Sequence, residues 1–249
     1  MSRGRELASH TSELSDSLLV ERGVDERNKP LGLYVVEGCD PRADLARQTE
    51  SAVFAEYFGN SPEDMKRIYQ KYENDSFFLL VMDQVEKKPA GALRIIKGPS
   101  NMTFDEVSHW GLDAEASFMQ EGIELQSAYD IGTIAILPGY RSSDSETGDI
   151  VKYALYSGLF RYSIQHPEEV DTWTAILDKN VNEKVLLPVG IHFKNLSDAE
   201  YKFYEGSTQS APQLCRVEDA RKGVKDVSSE LYSFLAHGVG LDEAVSIPK

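Results

Sequence analysis

The stretch that most constrains the fold is Tyr129–Ile164. It opens with Ile131–Leu137, whose β-branched residues predict a buried strand, and Pro138-Gly139 ends that strand. A polar loop, Tyr140–Gly148, follows. Beyond it, apolar residues recur at steps of three and four, which predicts a helix: Val151, Ala154, Leu155, Gly158, Leu159 and Tyr162. Strand, polar loop and helix in this order form either an ordinary turn or a place where a helix N-terminus meets a bound anion.

The other apolar patterns alternate between strands and helices. Ser76–Asp83 is apolar almost throughout, so we expect it to be buried on both faces and to form a hairpin with Pro89–Lys97. Gly98–Gly122 has no clear period and is predicted to be irregular or weakly helical. The further predicted strands are Leu31–Glu37, Thr172–Leu177, Ile191–Lys194 and Leu214–Val217, and the further helices are Asp44–Tyr57, Pro62–Tyr72, Asp178–Leu187 and Val224–Ala236. This order predicts a mixed α/β sheet with helices on its faces.

Three segments are expected along the chain. Residues 1–28 are polar and charged, with Leu18-Leu19-Val20 as the apolar exception, and predict a mobile tail with one short helix at most. Residues 29–218 hold the predicted sheet and form the main domain. Residues 219–249 are expected to be a C-terminal helix and tail.

Composition excludes several function classes. Lys and Arg number 26 against 41 Asp and Glu, and the net charge of −15 argues against non-specific binding to nucleic acid or to an anionic membrane. The same charge is compatible with a cationic or amine substrate. Cys39 and Cys215 form no CxxC motif, which argues against structural zinc and fits a reducing compartment. Because no long apolar run and no secretory signal is evident, we expect a cytoplasmic protein without a membrane span.

Four segments carry a resemblance to a known family. They read AVFAEYFG at 52–59, FFLLVMDQ to KKPAGALRI at 77–95, IGTIAILPGYR at 131–141, and TWTAIL followed by GIHF at 190–193. Their order over roughly residues 30–218 resembles the GNAT acyltransferase superfamily. The long region before the central strand and the loop YEGSTQSAP at 204–212 look more like the N-acyl amino acid and acyl-homoserine-lactone synthase relatives than the short acetyltransferases.

The resemblance implies a GNAT-like mixed central sheet with helices on both faces and a splayed pair of strands, here 131–137 and 172–177. The pantetheine arm of an acyl-CoA or acyl carrier protein thioester would lie between these strands and bond to backbone groups near Ile136 and Leu137. The pyrophosphate would rest on loop amides at the start of the next helix. The matching positions are Arg141, Ser142, Ser143, Gly148 and Asp149.

Two departures from the family pattern bear on function. The loop Asp144–Thr147 carries two carboxylates before its single glycine, and like charge opposes phosphate binding. Either those acids point to solvent, or the donor is an acyl carrier protein, or donor binding is lost. The family's general-acid Tyr falls on Leu186, so that role does not carry over, and Tyr204 or Tyr201 from the following loop is the candidate substitute.

Acyl transfer to an amine needs alignment of the reactants, removal of a proton and stabilisation of an oxyanion. Asp130 and Glu124 flank the central strand and are the candidate bases, although an Asp before a strand is more often a turn acceptor. His109 and His192 are more simply explained as hydrogen-bonded or exposed histidines, although His109-Trp110 could line a substrate pocket. No metal-binding motif is present, and no metal is expected.

These observations predict an N-acyltransferase that acts on the amine of a small molecule or amino acid. Two alternatives stay open. One is a non-catalytic module that binds a thioester or small molecule on the same fold, and the other is an acyl-homoserine-lactone-type synthase.

Overall fold

The computed structural model describes residues 11–19, 28–141 and 148–247. Within them, one mixed sheet has the strand order β6-β8-β5-β4-β3-β2-β1-β9, and β7 pairs with β8 at the side. The strands are β1 Leu31–Glu37, β2 Ser76–Asp83, β3 Lys88–Ile96, β4 Ala128–Ile136, β5 Thr172–Asp178, β6 Lys194–Asn195, β7 Lys202–Tyr204, β8 Ser207–Arg216 and β9 Val245–Ser246.

Helices connect the strands, together with short 3₁₀ turns. They are α1 at 11–19, α2 Ala43–Phe58, α3 Pro62–Tyr69, α4 Met102–Glu106, α5 Ala114–Gln120, α6 Gly148–Gln165, α7 Lys179–Val181, α8 Val217–Val227 and α9 Ser229–His237. The helix predicted at Val224–Ala236 is two helices, because Ser228 is extended (φ −163°) and caps α9 by accepting from the Leu231 N–H. Gly59, with φ +73°, forms the C-cap of α2, and Ser61 caps α3 by accepting from the Asp64 N–H.

The sheet is covered on both faces. Along β2, Phe77, Leu79 and Val81 belong to the core shared with α6, α8 and α9. The alternate residues Phe78, Leu80 and Met82 belong to a second core with α1 and α2. The predicted two-sided burial of this strand is therefore confirmed, since successive side chains of a strand point to opposite faces.

Both ends of the described chain join these cores. In α1, Leu14, Leu18 and Leu19 are buried among the residues of the second core, so this part of the predicted tail is packed. At the other end, β9 pairs in parallel with β1, and Leu235 of α9 is buried in the first core. The predicted boundary at residue 218 falls inside α8.

Two predicted strands differ from those observed. Ile191 and Phe193 are buried in the first core without pairing, and only Lys194–Asn195 joins the sheet. The last predicted strand, Leu214–Val217, is the end of the longer β8. Polar residues of β8 are buried there because they form hydrogen bonds, and a pattern based on apolar residues does not find them. No helix of the described residues is long and apolar enough to cross a membrane.

The middle of the sheet opens between β4 and β5. Their parallel pairing covers only Ala128↔Thr172, Tyr129↔Trp173 and Asp130↔Thr174. Beyond this point β4 continues beside β3, and β5 continues beside β8. The strands therefore diverge, which confirms the splayed pair. The β3–β4 register also shifts between Arg94 and Ile95, which leaves Gly132 as the extra residue of a bulge in β4.

Candidate active site

A cleft of about 870 Å³, its open mouth included, lies between the diverging halves of β4 and β5. Its walls are mainly apolar. The strands contribute Ile131, Ile134, Ile176 and Leu177, the α2–α3 region contributes Phe54, Phe58, Ile68 and Tyr69, and the β7–β8 hairpin contributes Tyr204, Ser207 and Ser210. An apolar cleft with a few polar groups is the usual form of a small-molecule site.

Asp130 lines this cleft at the last paired position of β4, and only 1% of its surface is exposed. Its Oδ2 accepts hydrogen bonds from the Thr103 N–H at 2.8 Å and the Thr174 hydroxyl at 3.1 Å. Burial raises the pKa of Asp130 to about 6, because it outweighs the opposing effect of these hydrogen bonds. The carboxyl group therefore changes protonation state near pH 6.

The partners of Asp130 were missed in the sequence. Asn101 Nδ2 donates to Thr174 Oγ1 at 2.8 Å, which leaves the Thr174 hydroxyl hydrogen for Asp130. Asn101 and Thr103 lie in the stretch without a clear period, and they reach Asp130 and Thr174 only through the tertiary fold. Of these two residues, Asn101 has a recognisable sequence signal, because it is an N-cap residue that accepts from the Phe104 N–H.

Behind the bulge lies a buried charged cluster. Arg94 forms two hydrogen bonds with Glu50, at 3.0 and 2.7 Å, and one with Glu73 at 2.8 Å. Its guanidinium carbon lies 4.5 Å from the centre of the Tyr69 ring. The Tyr69 hydroxyl donates to the Gly132 carbonyl at 2.9 Å, and burial raises the pKa of Tyr69. Through the Tyr69 hydroxyl, the cluster therefore supports the bulged part of β4 at the wall of the cleft.

Tyr204 faces the cleft from β7. Its ring lies 5.3 Å from that of Trp110 and 5.7 Å from that of His109, centre to centre. Burial raises the pKa of Tyr204, so the phenol keeps its proton across the neutral range. Behind it, the Ser210 hydroxyl donates to Ser207 Oγ at 2.8 Å, and the Ser207 hydroxyl donates to Asp178 Oδ2 at 2.7 Å.

The three predicted catalytic residues do not all meet. Asp130 and Tyr204 line the same cleft. Glu124 is exposed just before the 3₁₀ turn Leu125–Ser127 and is not among the residues that line the cleft. Its neighbour Ile123 is the residue that packs into a core there. The structure therefore separates Glu124 from the other two candidates.

The backbone groups predicted to hold the donor are already hydrogen-bonded. The Leu137 N–H donates to the Ala90 carbonyl at 3.0 Å, and the Leu137 carbonyl accepts from the Tyr140 N–H at 3.1 Å. The Ile136 carbonyl accepts from Arg141 Nε at 2.9 Å. Leu137 is thus engaged at both backbone groups, which is a difference from the predicted donor contact.

Arg141 lies at the predicted phosphate end of the site, but its guanidinium group is already paired with a carboxylate. Its two terminal nitrogens donate to Glu56 at 2.9 and 2.7 Å. Ser142 and Ser143 lie outside the described residues. Gly148 is the first residue of α6, and Asp149, which is exposed, accepts from Lys152 at 2.6 Å. The N-terminus of this 18-residue helix carries partial positive charge, which favours an anion.

One group of possible metal ligands occurs among the described residues, and it lies outside the cleft. His166, Glu168 and Glu169 have ligand atoms within 4.8 Å of one another. Glu169 already accepts from the Tyr129 hydroxyl at 3.0 Å and pairs with His166 at 3.4 Å. These contacts explain the cluster without an ion. The expectation that the protein uses no metal stays a prediction.

Comparison with known proteins finds solved structures of similar fold. No family model and no curated protein matches the chain. Among solved structures it is similar to FeeM, an N-acyl amino acid synthase from uncultured soil microbes, with a TM-score of 0.56 and 13% identity over 78% of this chain and 94% of FeeM. It is also similar to BjaI, a CoA-dependent acyl-homoserine lactone synthase solved with SAM and isopentyl-CoA, with a TM-score of 0.54 and 9% identity over 88% of this chain and 93% of BjaI.

A third similar structure is LasI, an AHL synthase, with a TM-score of 0.50 and 16% identity over 76% of this chain and 91% of LasI. At these identities the likeness concerns the fold. The chain has a GNAT-like fold, and its structural neighbours include the N-acyl amino acid and acyl-homoserine-lactone synthase branch. The resemblance and the fold class predicted from the sequence are confirmed.

Proposed function

We propose that the protein is an N-acyltransferase that moves an acyl group from an acyl-CoA or acyl carrier protein thioester to an amine of a small molecule or amino acid. One observation carries the proposal. The pairing of β4 and β5 ends at Asp130 and Thr174, and the opening holds an apolar cleft with a titratable carboxyl group at the point where the strands part. The fold that it shares with acyl-transferring enzymes supports this reading.

In this proposal the thioester arm enters the cleft along the free edge of β4, between Ile131 and Ile136. Over this length β4 has no strand partner on the β5 side among the described residues. For a CoA donor, the pyrophosphate is assigned to the start of α6, at Gly148 and Asp149, and to Ser142 and Ser143, which lie outside the described residues. Arg141, whose side chain is 17% exposed, exchanges Glu56, whose side chain is 46% exposed, for a phosphate, and the guanidinium then keeps an anionic partner.

Asp130 is the proposed base and Tyr204 the proposed acid. Asp130 takes a proton from the attacking amine, directly or through one water. Tyr204, which keeps its proton at neutral pH, donates to the leaving thiolate. A backbone N–H on the free edge of β4 stabilises the oxyanion. Glu124 has no role in this arrangement, because it lies away from the cleft.

The proposal is tested with a panel of acyl-CoA and acyl carrier protein thioesters. We expect at least one donor to raise the melting temperature, since a ligand that binds only the folded state stabilises it. The same donor should release free thiol when an amine is added. If no donor shifts the melting temperature and no amine releases thiol, the protein is not an acyltransferase.

The donor end is tested by two substitutions with opposite expectations. Arg141→Ala removes the proposed phosphate ligand, and we expect donor affinity to fall by about tenfold, as for the loss of a charged hydrogen bond. Glu56→Gln removes the competing carboxylate from Arg141, so donor affinity should stay equal or rise. Calorimetric titration of both variants measures this. Unchanged affinity in Arg141→Ala would refute the place assigned to the pyrophosphate.

Two observations keep the alternatives testable. Arg141 is hydrogen-bonded to Glu56 and Leu137 to the sheet, so groups assigned to the thioester donor are already occupied. These contacts favour a module that binds a small molecule without turnover, and steady product formation would eliminate that alternative. The shared fold with BjaI and LasI favours an acyl-homoserine-lactone-type synthase. Mass spectrometry of the products separates a lactone from an open-chain amide.

A further inference from the structure

A second hollow adjoins the cleft. This vestibule is bounded by the carboxylates of Asp64, Glu106 and Glu205, and it shares Asn60 and Tyr204 with the cleft. Because residues line both spaces, a molecule that reaches Asp130 through the vestibule touches its walls on the way. The vestibule is therefore the natural place for the part of an acceptor that does not react.

The charge of the two spaces is one-sided. Among the described residues that line them, five are Asp or Glu and none is Lys or Arg. The two inner carboxyl groups, Asp130 and Asp178, have no salt-bridge partner in the described part of the chain. An incoming carboxylate would meet like charge there, whereas a cation would be attracted.

Two basic side chains reach the rim from outside. Arg67 lies 3.0 Å from Glu205 and 3.9 Å from Asp64, and its side chain is 60% exposed. Lys71 is closer to Asp105, at 3.2 Å, than to Glu106, at 3.9 Å, and is 52% exposed. Exposed pairs of this kind are screened by water and leave the vestibule negative.

An independent observation also points to a ligand. Asn60 is 7% exposed and lines both spaces, and its Oδ1 has no hydrogen-bond partner among the residues that the structure describes. A buried acceptor without a donor is unfavourable, and such groups in native proteins call for an explanation. A donor on a bound molecule, such as an N–H, supplies one.

Resting on the proposed acyl transfer, we infer that the acyl acceptor is an amine that carries a second cationic nitrogen and no carboxylate, such as a diamine. The second nitrogen lies in the vestibule among Asp64, Glu106 and Glu205, beside Tyr204. An N–H of the acceptor donates to Asn60 Oδ1.

The reacting nitrogen attacks the thioester carbonyl in the cleft. The new C–N bond forms as the C–S bond breaks, Asp130 takes the proton from the nitrogen, and the thiolate leaves with a proton from Tyr204. The products are an amide and a free thiol. Proton exchange with water returns Asp130 and Tyr204 to their starting forms.

The acceptor class is tested by rates of thiol release with one donor and a matched set of amines. The set contains 1,4-diaminobutane, the monoamine butylamine, and amino acids such as glycine and phenylalanine. We expect kcat/KM for the diamine to exceed that of the monoamine by about tenfold or more, as for one well-placed cation, and the amino acids to be the poorest. Amino acids that react better than the diamine would overturn the inference and leave acyl transfer intact.

Substitution of Glu106 tests the vestibule itself. Glu106→Gln should raise KM for 1,4-diaminobutane by roughly threefold to fivefold, the range of a partly exposed charge contact, and Glu106→Lys should raise it further. Neither should change KM for butylamine. Glu115→Gln and Glu115→Lys, on an exposed position of α5, are the matched controls and should leave both KM values unchanged. An equal effect on both amines would overturn the inference.

Calorimetry with 1,4-diaminobutane alone separates this inference from the proposed function. Binding that Glu106→Lys weakens, without thiol release from any donor, would support the cation site and remove the enzyme. Thiol release with butylamine, without measurable binding of the diamine, would support the enzyme and remove the cation site.

Discussion

Asp130 illustrates how one residue acquires chemistry from its surroundings. Its carboxyl group is 1% exposed, and two hydrogen bonds to Oδ2 only partly replace the water that it loses. Its pKa rises from 3.8 to about 6, so the ionised form is less stable in the folded protein than in the unfolded chain. Since the folded pKa is the higher one, protonated Asp130 makes its full contribution to the free energy of unfolding below pH ~4. This contribution is lost as the pH rises through about 6.

Asp130→Asn should separate activity from stability. The amide oxygen can accept the same two hydrogen bonds, but it carries no charge. We therefore expect a stability gain at pH 8 of up to about 3 kcal/mol, from a pKa difference of roughly two units, and a smaller gain of about 1 kcal/mol at pH 4.5, where the folded carboxyl group is protonated but the unfolded one is still largely ionised. Urea unfolding at both values measures this. A loss of stability at pH 8 would mean that the charge itself is structural.

The same group sets the pH dependence of the proposed reaction. A base acts in its deprotonated form, so the rate of thiol release by the wild-type protein should rise with pH through about 6. Asp130→Asn should abolish this rise and most of the rate while donor binding persists. A wild-type rate that stays flat between pH 5 and 8 would exclude Asp130 as the base.

At the scale of elements, the β7–β8 hairpin fixes one wall of the cleft. Its turn residues Glu205 and Gly206 both have positive φ, 42° and 91°. A Cβ on Gly206 would lie 2.4 Å from the Phe58 carbonyl oxygen, so the hairpin lies directly against the end of α2. The close approach places Tyr204 opposite the α2–α3 wall, and the cleft depends on it.

Gly206→Ala should push this hairpin away from α2. We expect a loss of about 2–4 kcal/mol in the free energy of unfolding, from the positive φ and the backbone clash together, and weaker binding in the cleft. Gly111→Ala is the control, because Gly111 has φ +76° and nothing within 4 Å of its Cβ position. It should show the conformational cost of about 1 kcal/mol alone. Equal losses in both variants would mean that the contact with Phe58 is unimportant.

On the scale of the whole molecule, the sheet separates two hydrophobic cores, one on each face. The first lies under α6, α8 and α9, and the second under α1 and α2. The cleft opens where β4 and β5 diverge, after Asp130. Helix α2 packs in the second core through Ala43, Leu45 and Ala46, and its last turns line the cleft through Phe54 and Phe58.

Leu18 tests whether α1 is part of the folded unit. Its side chain is 2% exposed in the second core, so Leu18→Ala should lower the free energy of unfolding by about 2–5 kcal/mol. Val85→Ala, at a side chain that is 74% exposed, should change it by less than about 0.5 kcal/mol. Chemical unfolding of both variants gives the comparison. A Leu18→Ala variant as stable as the wild type would show that α1 behaves as the mobile tail expected from its composition.

The sequence by itself determined most elements and the faces they bury. The periods of β2 and α6 and the capping residues Gly59 and Ser61 act within one element, so the local pattern contains them. It also pointed to the splayed pair through the resemblance that the strand, loop and helix carry. Asp130 was found because it directly precedes the β-branched run of its strand.

Only the tertiary structure decided which groups meet. The hydrogen bond from Thr174 to Asp130 spans 44 residues, and the pair of Arg141 with Glu56 spans 85. Such partners depend on strand register and on how the helices pack, and these result from many weak contacts summed over the whole chain. The same packing places Glu124 outside the cleft, Asn60 in its wall and Glu106 in the vestibule. The type of a residue does not by itself specify which residues it will contact.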